Sequence, residues 1–215
     1  MKKVYFISGL GADKRVFNFL DLSFCEPVFI EWQAPGPKES LAGYAAKLRQ
    51  QISDKHPFVV GISFGGMLAS EMARADENVQ AVILASNKSA DEFPRRLRLF
   101  RYLPVYRWLP GSAMKKMQSL YTAVFGIKEP EKKEMLNRII ADADVSFVKW
   151  AIRAILHWQK SPPPAGLIHI HGTADRLLPI SCVKADYVIE GGSHILTLDK
   201  PEEVSRLLKK IIQPG

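Results

Sequence analysis

This chain has few cysteines, fewer acidic than basic residues, and no long apolar run. Two of the 215 residues are cysteines, Cys25 and Cys182, which is too few for a disulfide scaffold. No apolar run approaches the roughly 18 residues that a membrane-spanning helix needs. Hydrophobic residues still make up 47% of the chain and charged residues 24%, as in ordinary globular proteins. We therefore expect a packed core without disulfides or structural metal, and not a disordered, collagenous or coiled-coil chain.

The first residues resemble a secretory signal only superficially. Met1-Lys2-Lys3 precedes a short apolar run that ends at Ile7, and a glycine-containing, charged segment, Gly9–Arg15, follows without a small-residue cleavage site. We expect this run to be the first β-strand and the protein to be cytoplasmic. Both cysteines are then expected to be reduced thiols that serve in packing.

Basic residues outnumber acidic residues by 30 to 22, and the excess is unevenly distributed. Residues 88–133 contain eleven basic residues against four acidic ones, which is nearly the whole net charge of +8. A solvated surface is the simplest interpretation, and attraction of nucleic acid, an anionic membrane or an acidic ligand is the alternative. Since no nucleic-acid motif accompanies the charge, we expect a small-molecule substrate as partner, no nucleic acid and no stable membrane insertion.

Strand-like and helix-like segments alternate through the first ninety residues, and the alternation resumes after residue 160. The strand-like runs are apolar throughout, which is typical of strands buried on both faces. Helix-like segments between them indicate βαβ units and a parallel sheet. The predicted strands are Val4–Ser8, Pro27–Trp32, Phe58–Ile62, Val79–Ala85, Leu167–Ile170 and Tyr187–Ile189. The predicted helices are Asp13–Leu22, a helix capped by Ser40 that runs to about Ile52, Phe64–Arg74 and Pro201–Ile212.

The alternation breaks between Asn87 and Lys160, where no strand-like run occurs. Four prolines divide this stretch into helical pieces, of which Val145–Gln159 is the longest, and three further prolines follow as a stiff connector. An excursion of this length has its own structure or covers a site. We therefore divide the chain into an α/β core of residues 1–86 and 161–215 and a helical insertion of residues 87–160.

The most specific motif is G-x-S-x-G at residues 61–65, with Ser63 at its centre. It follows a predicted strand and precedes a predicted helix. In a strand–turn–helix of this kind the serine side chain rises above the carboxyl edge of the sheet, and the flanking glycines permit the tight turn. The helix N-terminus favours negative charge that develops there. The alternative is that Ser63 merely caps the helix.

Two motifs further along the chain contain the groups that a serine nucleophile needs. One begins at His171-Gly172 and contains Asp175, and the other is Gly191-Gly192-Ser193-His194; each follows a predicted strand. A serine hydroxyl needs a base such as imidazole, and the imidazole needs a carboxylate that fixes its tautomer. Because loops after parallel strands share one edge of the sheet, Ser63, Asp175 and His194 can meet there.

With these motifs in this order the sequence resembles the α/β-hydrolase family over nearly its whole length. The resemblance implies that Ser63 is the nucleophile, Asp175 the acid and His194 the base, and that the backbone N–H groups of Leu10 and Phe64 form the oxyanion hole. It also implies a mainly parallel sheet of about six strands flanked by helices, in spatial order 2-1-3-4-5-6. This is an α/β-hydrolase fold that lacks the family's first two strands, and residues 87–160 would be a helical cap, or lid.

The function implied by the resemblance is that of a serine hydrolase, an esterase that cleaves a carboxylic ester or a related acyl substrate without a cofactor or a metal. Thioesterase, amidase, lactonase and carbon–carbon bond hydrolase are alternatives with the same three residues, and a non-catalytic small-ligand receptor is another. Two positions depart from the family pattern. Ser8 stands where histidine is common before glycine, and Ile62 stands where many members have histidine before the serine.

Other residues are weaker candidates. His169 and His171 point the same way along one strand, but no further His or Cys cluster accompanies them, and a structural hydrogen bond is the expected role of His171. Asp186 and Asp199 are rival acids, and Asp199 is expected to cap the last helix. The aromatic residues of the insertion are candidates for lining an apolar pocket: Phe93, Phe100, Tyr102, Tyr106, Trp108, Tyr121, Phe125, Phe147, Trp150 and Trp158.

Overall fold

The computed structural model of the chain describes residues 1–94 and 129–213, in which helices cover both faces of one central sheet. The strands are β1 (Lys3–Ile7), β2 (Glu26–Phe29), β3 (Phe58–Ile62), β4 (Gln80–Leu84), β5 (Ile168–Gly172) and β6 (Tyr187–Ile189). The helices of the described residues are α1 (Leu41–Arg49), α2 (Phe64–Ala75), α3 (Pro130–Asp142), α4 (Val145–Leu156), α5 (Leu196–Asp199) and α6 (Pro201–Ile212). Short 3-10 turns occupy Lys14–Phe17, Ala90–Glu92 and Ile180–Cys182.

The six strands form one sheet in the order β2-β1-β3-β4-β5-β6, and every neighbouring pair is parallel. In this register Tyr5 lies opposite Val59, and Val60 lies opposite Val82. The predicted sheet and strand order are thus confirmed. Because all strands run the same way, the loops that follow β1, β3, β5 and β6 emerge at the same edge of the sheet.

The core consists of two hydrophobic clusters, one on each face of the sheet. Tyr5, Ile7 and Val59 join the cluster under α1, α2 and α4. Their strand neighbours Phe6 and Val60 join the other cluster, which α3, α5 and α6 cover. Successive residues of each strand therefore both point into a core, which is why these strands are apolar without alternation.

The first predicted helix is wrong, whereas the second is confirmed. Asp13–Leu22 contains only a 3-10 turn, in which the Asp13 carboxylate accepts hydrogen bonds from the backbone N–H and the guanidinium of Arg15. One turn is enough to bury Phe17, whose ring packs against Phe6 at 5.2 Å. In α1 the side chain of Ser40 accepts from the N–H of Gly43, as expected of its N-cap.

The described part of residues 87–160 is helical and contains no strand. Asp144 caps α4 by accepting hydrogen bonds from the N–H groups of Ser146 and Phe147. Trp150 of α4 packs on Tyr44 of α1 with ring centroids 4.4 Å apart. The expected pocket residues Phe100, Tyr102, Tyr106, Trp108, Tyr121 and Phe125, with most of the basic stretch, lie outside the described residues. Within residues 1–94 and 129–213, no helix is long and apolar enough to cross a membrane.

Candidate active site

Ser63 lies in a strained turn between β3 and α2. Its backbone has φ 53° and ψ −117°, a conformation that residues other than glycine rarely adopt and that costs on the order of 1–3 kcal/mol. Hydrogen bonds on both sides hold it there: its N–H donates to the Leu84 carbonyl at 2.9 Å, and its own carbonyl accepts from Ser86 Oγ at 2.6 Å. The Ser63 side chain makes no capping bond to the helix, so the capping alternative is wrong.

The glycines of the motif are required by close packing around this turn. A Cβ on Gly65 would overlap the backbone carbonyls of Ile7 and Ser8 at the end of β1. A Cβ on Gly61 would overlap the backbone of Gly65 itself. The G-x-S-x-G pattern therefore lets α2 begin directly against the neighbouring strand, with Ser63 at the carboxyl edge of the sheet.

The structure brings Ser63, His194 and Asp175 together in one hydrogen-bonded chain. Ser63 Oγ lies 2.8 Å from His194 Nε2, and His194 Nδ1 lies 2.8 Å from Asp175 Oδ2. Because the carboxylate only accepts, Nδ1 carries the proton and the Nε2 lone pair faces the serine hydroxyl. The other carboxylate oxygen, Oδ1, accepts from the N–H groups of Leu177 and Leu178 at 2.9 and 2.8 Å. Each member comes from the loop after a different strand: β3, β5 and β6.

The surroundings of Asp175 keep it ionised. Burial, the largest single effect, raises the pKa of this carboxyl group. Three neighbours lower this pKa, and together they outweigh the effect of burial: His194 through its charge and hydrogen bond, Leu178 through its N–H, and His171 through its charge. The net pKa of Asp175 therefore lies below its ordinary value, and at neutral pH a carboxylate is in place to stabilise a protonated His194.

The two residues predicted for the oxyanion hole, Leu10 and Phe64, belong to segments that adjoin Ser63. The N–H of Phe64 is the first of α2 and so has no partner within the helix. On the other side, a Cβ on Gly9 would lie 3.5 Å from Ser63 Cβ, so the turn that carries Leu10 packs against the nucleophile. That turn is closed by the Ala12 N–H, which donates to the Gly9 carbonyl at 3.0 Å.

Two side chains, Ser8 and Trp32, fix the loop of Leu10. The Ala12 carbonyl accepts from Ser8 Oγ at 2.9 Å and from Trp32 Nε1 at 2.7 Å. Ser8 occupies the position where histidine is common in the family, and here its hydroxyl closes the loop. Trp32 follows β2, and its sequence position alone carried no signal of this contact.

Asp199 braces the histidine loop, and its predicted capping role is wrong. The N-cap of α6 is Lys200, which makes no side-chain capping bond. Asp199 Oδ2 instead accepts from the backbone N–H of Ser193, the residue before His194, at 2.6 Å. Burial raises the pKa of Asp199, and its hydrogen bonds to Ser193 only partly offset this effect. The rival acid Asp186 accepts a hydrogen bond from the backbone N–H of His169 and forms an ion pair with Lys88.

A cavity of about 620 Å³ lies beside the Leu10 loop, between the loops after β1 and β2 and the helices α3 and α4. Its lining includes Gly11, Ala12 and the aromatic rings of Trp32, Phe147 and Trp150. Phe64, next to the nucleophile, packs against the same rings, 5.8 Å from Trp32 and 6.3 Å from Phe147. Two residues predicted for the pocket therefore line a cavity. The other two described ones, Phe93 and Trp158, pack against each other instead.

His169 and His171 bond to each other, with 3.0 Å between His169 Nε2 and His171 Nδ1, instead of facing an open site. Among residues 1–94 and 129–213, no group of three His, Cys, Asp or Glu side chains is placed to hold a metal ion. Cys25 is buried and Cys182 is partly buried, and both are free thiols.

Solved structures share this fold. A thermophilic esterase from Thermogutta terrifontis, with malate bound, has a TM-score of 0.73 at 17% identity over 99% of this chain and 89% of that one. The enol-lactonase from Burkholderia xenovorans LB400 has a TM-score of 0.76 at 13% identity over 98% and 91%. The bottromycin epimerase BotH, in complex with bottromycin A2, has a TM-score of 0.71 at 17% identity over 99% and 91%. At such identities these likenesses show the fold alone.

No curated protein is similar enough in sequence to match the chain. A family model does match: the one described as the alpha/beta hydrolase family covers residues 4–207. This match spans all three sequence motifs and nearly all of the six-stranded parallel sheet that the structure shows. The protein therefore belongs to the alpha/beta hydrolase family and is a hydrolase, as its motifs predicted.

Proposed function

We propose that this protein is a serine hydrolase that cleaves a carboxylic ester or a related acyl substrate through Ser63, His194 and Asp175. The observation that carries the proposal is the unbroken hydrogen-bonded chain from the Ser63 hydroxyl through His194 to Asp175, with 2.8 Å at each link. Hydroxyl, imidazole and ionised carboxylate in this order are what nucleophilic acyl transfer needs.

In the first half of the reaction Ser63 Oγ attacks the substrate carbonyl carbon, and His194 Nε2 takes the hydroxyl proton. Asp175 stabilises the resulting imidazolium through Nδ1. The carbonyl oxygen becomes an oxyanion, which the N–H groups of Leu10 and Phe64 and the N-terminus of α2 stabilise. When the tetrahedral intermediate collapses, His194 gives its proton to the leaving alcohol, and the acyl group stays on Ser63.

In the second half, water attacks the acyl enzyme by the same route. His194 takes a proton from the water and returns it to Ser63 Oγ as the carboxylic acid leaves. Every proton transfer passes through His194, and no electron transfer is involved.

The cavity beside the Leu10 loop supports a substrate with an apolar acyl or alcohol portion. Its volume of about 620 Å³ is that of a small-molecule site, and the Trp32, Phe147 and Trp150 rings give it apolar walls. We also propose that residues 87–160 form the cap over the site; α3 and α4 are the α-helices that the structure describes in this range. The solved neighbours include esterases and an enol-lactonase, and pocket shape separates such reactions on one fold.

The first experiment identifies the nucleophile by labelling with a fluorophosphonate probe and peptide mapping. The unmodified protein should be labelled on Ser63, and Ser63→Ala should not be labelled. Ser70→Ala is the matched control, because it removes another serine hydroxyl from α2, one that is fully buried and donates to the Lys88 carbonyl. That variant should be labelled as the unmodified protein is.

The second experiment measures turnover of p-nitrophenyl esters of increasing acyl length, with thioesters, lactones and a β-diketone alongside. Ser63→Ala should lower kcat by roughly 10⁴-fold or more, because without the nucleophile only binding and oxyanion stabilisation remain. Retention of more than a few per cent of turnover by Ser63→Ala would overturn the proposal. A folded protein that neither reacts with the probe nor turns over any substrate would favour the ligand-receptor alternative.

A further inference from the structure

Two buried histidines lie behind Asp175, and the reaction described above uses neither. His169 and His171 are alternate residues of β5, so their side chains lie on the same face of the sheet. Both are 0% exposed, and their rings stand nearly perpendicular, at 86°, with His169 Nε2 3.0 Å from His171 Nδ1. Fully buried histidines are costly unless their hydrogen bonds are met, which makes these bonds informative.

The hydrogen-bond partners determine where the protons of this pair are. His171 Nε2 lies 2.8 Å from the Leu178 carbonyl oxygen, and since a carbonyl only accepts, Nε2 must carry a proton. A neutral His171 then accepts through Nδ1, so His169 must donate through its own Nε2–H. A neutral His169 that donates through Nε2 then keeps its lone pair on the other ring nitrogen, Nδ1.

Burial favours the neutral form of both rings. Burial is the main effect that lowers the pKa of His169 to about 2; the charges of His171 and Lys88 add to it, and the Lys184 carbonyl opposes it. Burial also lowers the pKa of His171, and the charge of His194 lowers it further. The hydrogen bond to the Leu178 carbonyl and the charge of Asp175 raise this pKa but do not cancel the effect of burial. Each histidine in its neutral form keeps one N–H, and the Leu178 carbonyl at Nε2 and the His169 N–H at Nδ1 together hold the proton of His171 on Nε2.

The Leu178 carbonyl that His171 holds belongs to the turn that orients the acid. The N–H groups of Leu177 and Leu178 donate hydrogen bonds to Asp175 Oδ1, so this turn fixes one carboxylate oxygen. His171 in turn fixes the position of the turn through its hydrogen bond to the Leu178 carbonyl. His171 Nε2 also lies 3.5 Å from Asp175 Oδ2, the oxygen that accepts from His194. Displacement of the turn would rotate the carboxylate away from His194.

We propose that His171 is a positioning residue that keeps Asp175 aligned with His194, and that His169 fixes the tautomer in which His171 does so. The catalytic consequence rests on the proposed function, whereas the tautomers do not. The same principle operates twice in this site: Asp175 fixes the tautomer of His194, and one shell further out His169 fixes that of His171.

Nitrogen NMR of the histidine rings in the unmodified protein tests the tautomers without any substrate. Among the five histidines of the chain, two should show the neutral Nε2–H pattern and keep it as pH falls from about 9 to 6.5, the ordinary imidazole pKa. In His169→Gln, whose amide can still donate to His171 Nδ1, one such pattern disappears and the other persists. In His169→Leu the His171 signal should shift toward a tautomer mixture. An Nδ1–H tautomer at either residue, or a titration at or above the ordinary imidazole pKa, overturns the proposal in the unmodified protein.

Kinetics of the same two variants test the positioning role, since the side-chain hydrogen bond that the structure describes for His169 goes to His171 and not to Asp175. His169→Leu should lower kcat by about tenfold to a hundredfold with little change in KM, as the loss of an outer hydrogen-bond partner typically does. The acid limb of its kcat/KM profile should move to lower pH, because a misaligned Asp175 stabilises protonated His194 less. His169→Gln should retain most of the activity.

Ile170→Val is the matched control, because it removes a buried methylene from the same strand on the opposite face, within the other core cluster. If His169→Leu and Ile170→Val give the same kinetics and pH profile, His169 is merely structural and the positioning role is overturned. If His169→Leu does not fold, the NMR spectrum of the unmodified protein decides. A folded protein with the expected tautomers but no turnover would support the histidine arrangement and overturn the proposed function, so the two failures are distinguishable.

Discussion

Replacement of Asp199 tests whether the histidine loop is held by a buried carboxylate. The residue lies outside the Ser63–His194–Asp175 chain, and it reaches that chain through the N–H of Ser193 at 2.6 Å. Asp199→Ala removes this acceptor, whereas Asp199→Asn keeps an acceptor oxygen in the same place and removes the charge. The pair therefore separates the hydrogen bond from the charge.

The structure sets the expected magnitudes. A hydrogen bond to a charged acceptor contributes about 1.5–3 kcal/mol, and a buried N–H left without a partner costs a similar amount. Asp199→Ala should therefore lower the free energy of unfolding by about 2 kcal/mol. Asp199→Asn should stay within about 1 kcal/mol of the unmodified protein at neutral pH, because burial disfavours the carboxylate charge that it removes.

The pH dependence has a definite sign. The folded protein raises the pKa of Asp199, so the stability that this group contributes is present below its ordinary pKa and is lost as pH rises through the folded-state value. Any deficit of Asp199→Asn relative to the unmodified protein should therefore shrink as pH rises above about 4.

Urea denaturation of the three proteins at several pH values measures these differences, and other titrating groups cancel in the comparison. The kcat of Asp199→Ala on an ester should also fall, since the loop that carries His194 loses its anchor. Equal stabilities of the alanine and asparagine variants at neutral pH, or an asparagine deficit that grows as pH rises, would refute the reasoning.

Two further predictions concern the acid loop. A Cβ on Gly172 would overlap the Gly192 carbonyl, so Gly172→Ala should cost about 3 kcal/mol of stability by denaturation. Gly166→Ala, with φ +71° and open space, should cost about 1 kcal/mol, and equal losses would contradict the packing explanation. Asp175→Asn should lower kcat about 10⁴-fold in the ester assay. Because the folded protein lowers the Asp175 pKa, its contribution is lost as pH falls through that value. The stability gap to the asparagine variant should then narrow as pH falls below about 5; a gap that widens would be the contrary result.

Most of the fold could be predicted because each strand has a recognisable local sequence pattern. Strands such as Phe58–Ile62 are continuously apolar, and a strand buried on both faces has to be. The helix predicted at Asp13–Leu22 failed because the Asp13–Arg15 interaction closes a single turn, and one turn already buries Phe17. Apolar spacing alone does not distinguish a turn from a helix when the segment is this short.

The part of the candidate site that could be predicted consists of residues that belong to local sequence motifs. Ser63, Asp175 and His194 each stand in a recognisable loop after a strand, and the parallel sheet brings those loops to one edge. Ser86, Asp199 and Trp32 carry no such local signature. Each acts through a hydrogen bond to a backbone group of a loop whose position depends on packing.

The sequence by itself therefore determined the order of the strands along the chain, the family, and the three residues that can form the hydrogen-bonded chain. Only the tertiary structure decided that Ser63 Oγ and His194 Nε2, 131 residues apart, lie 2.8 Å from each other. It also decided that His169 reaches the acid turn through His171, and that Asp199 anchors the histidine loop instead of capping a helix. Local propensity and motif order depend on neighbouring residues, whereas these contacts depend on how the sheet and helices pack, which no short stretch of sequence encodes.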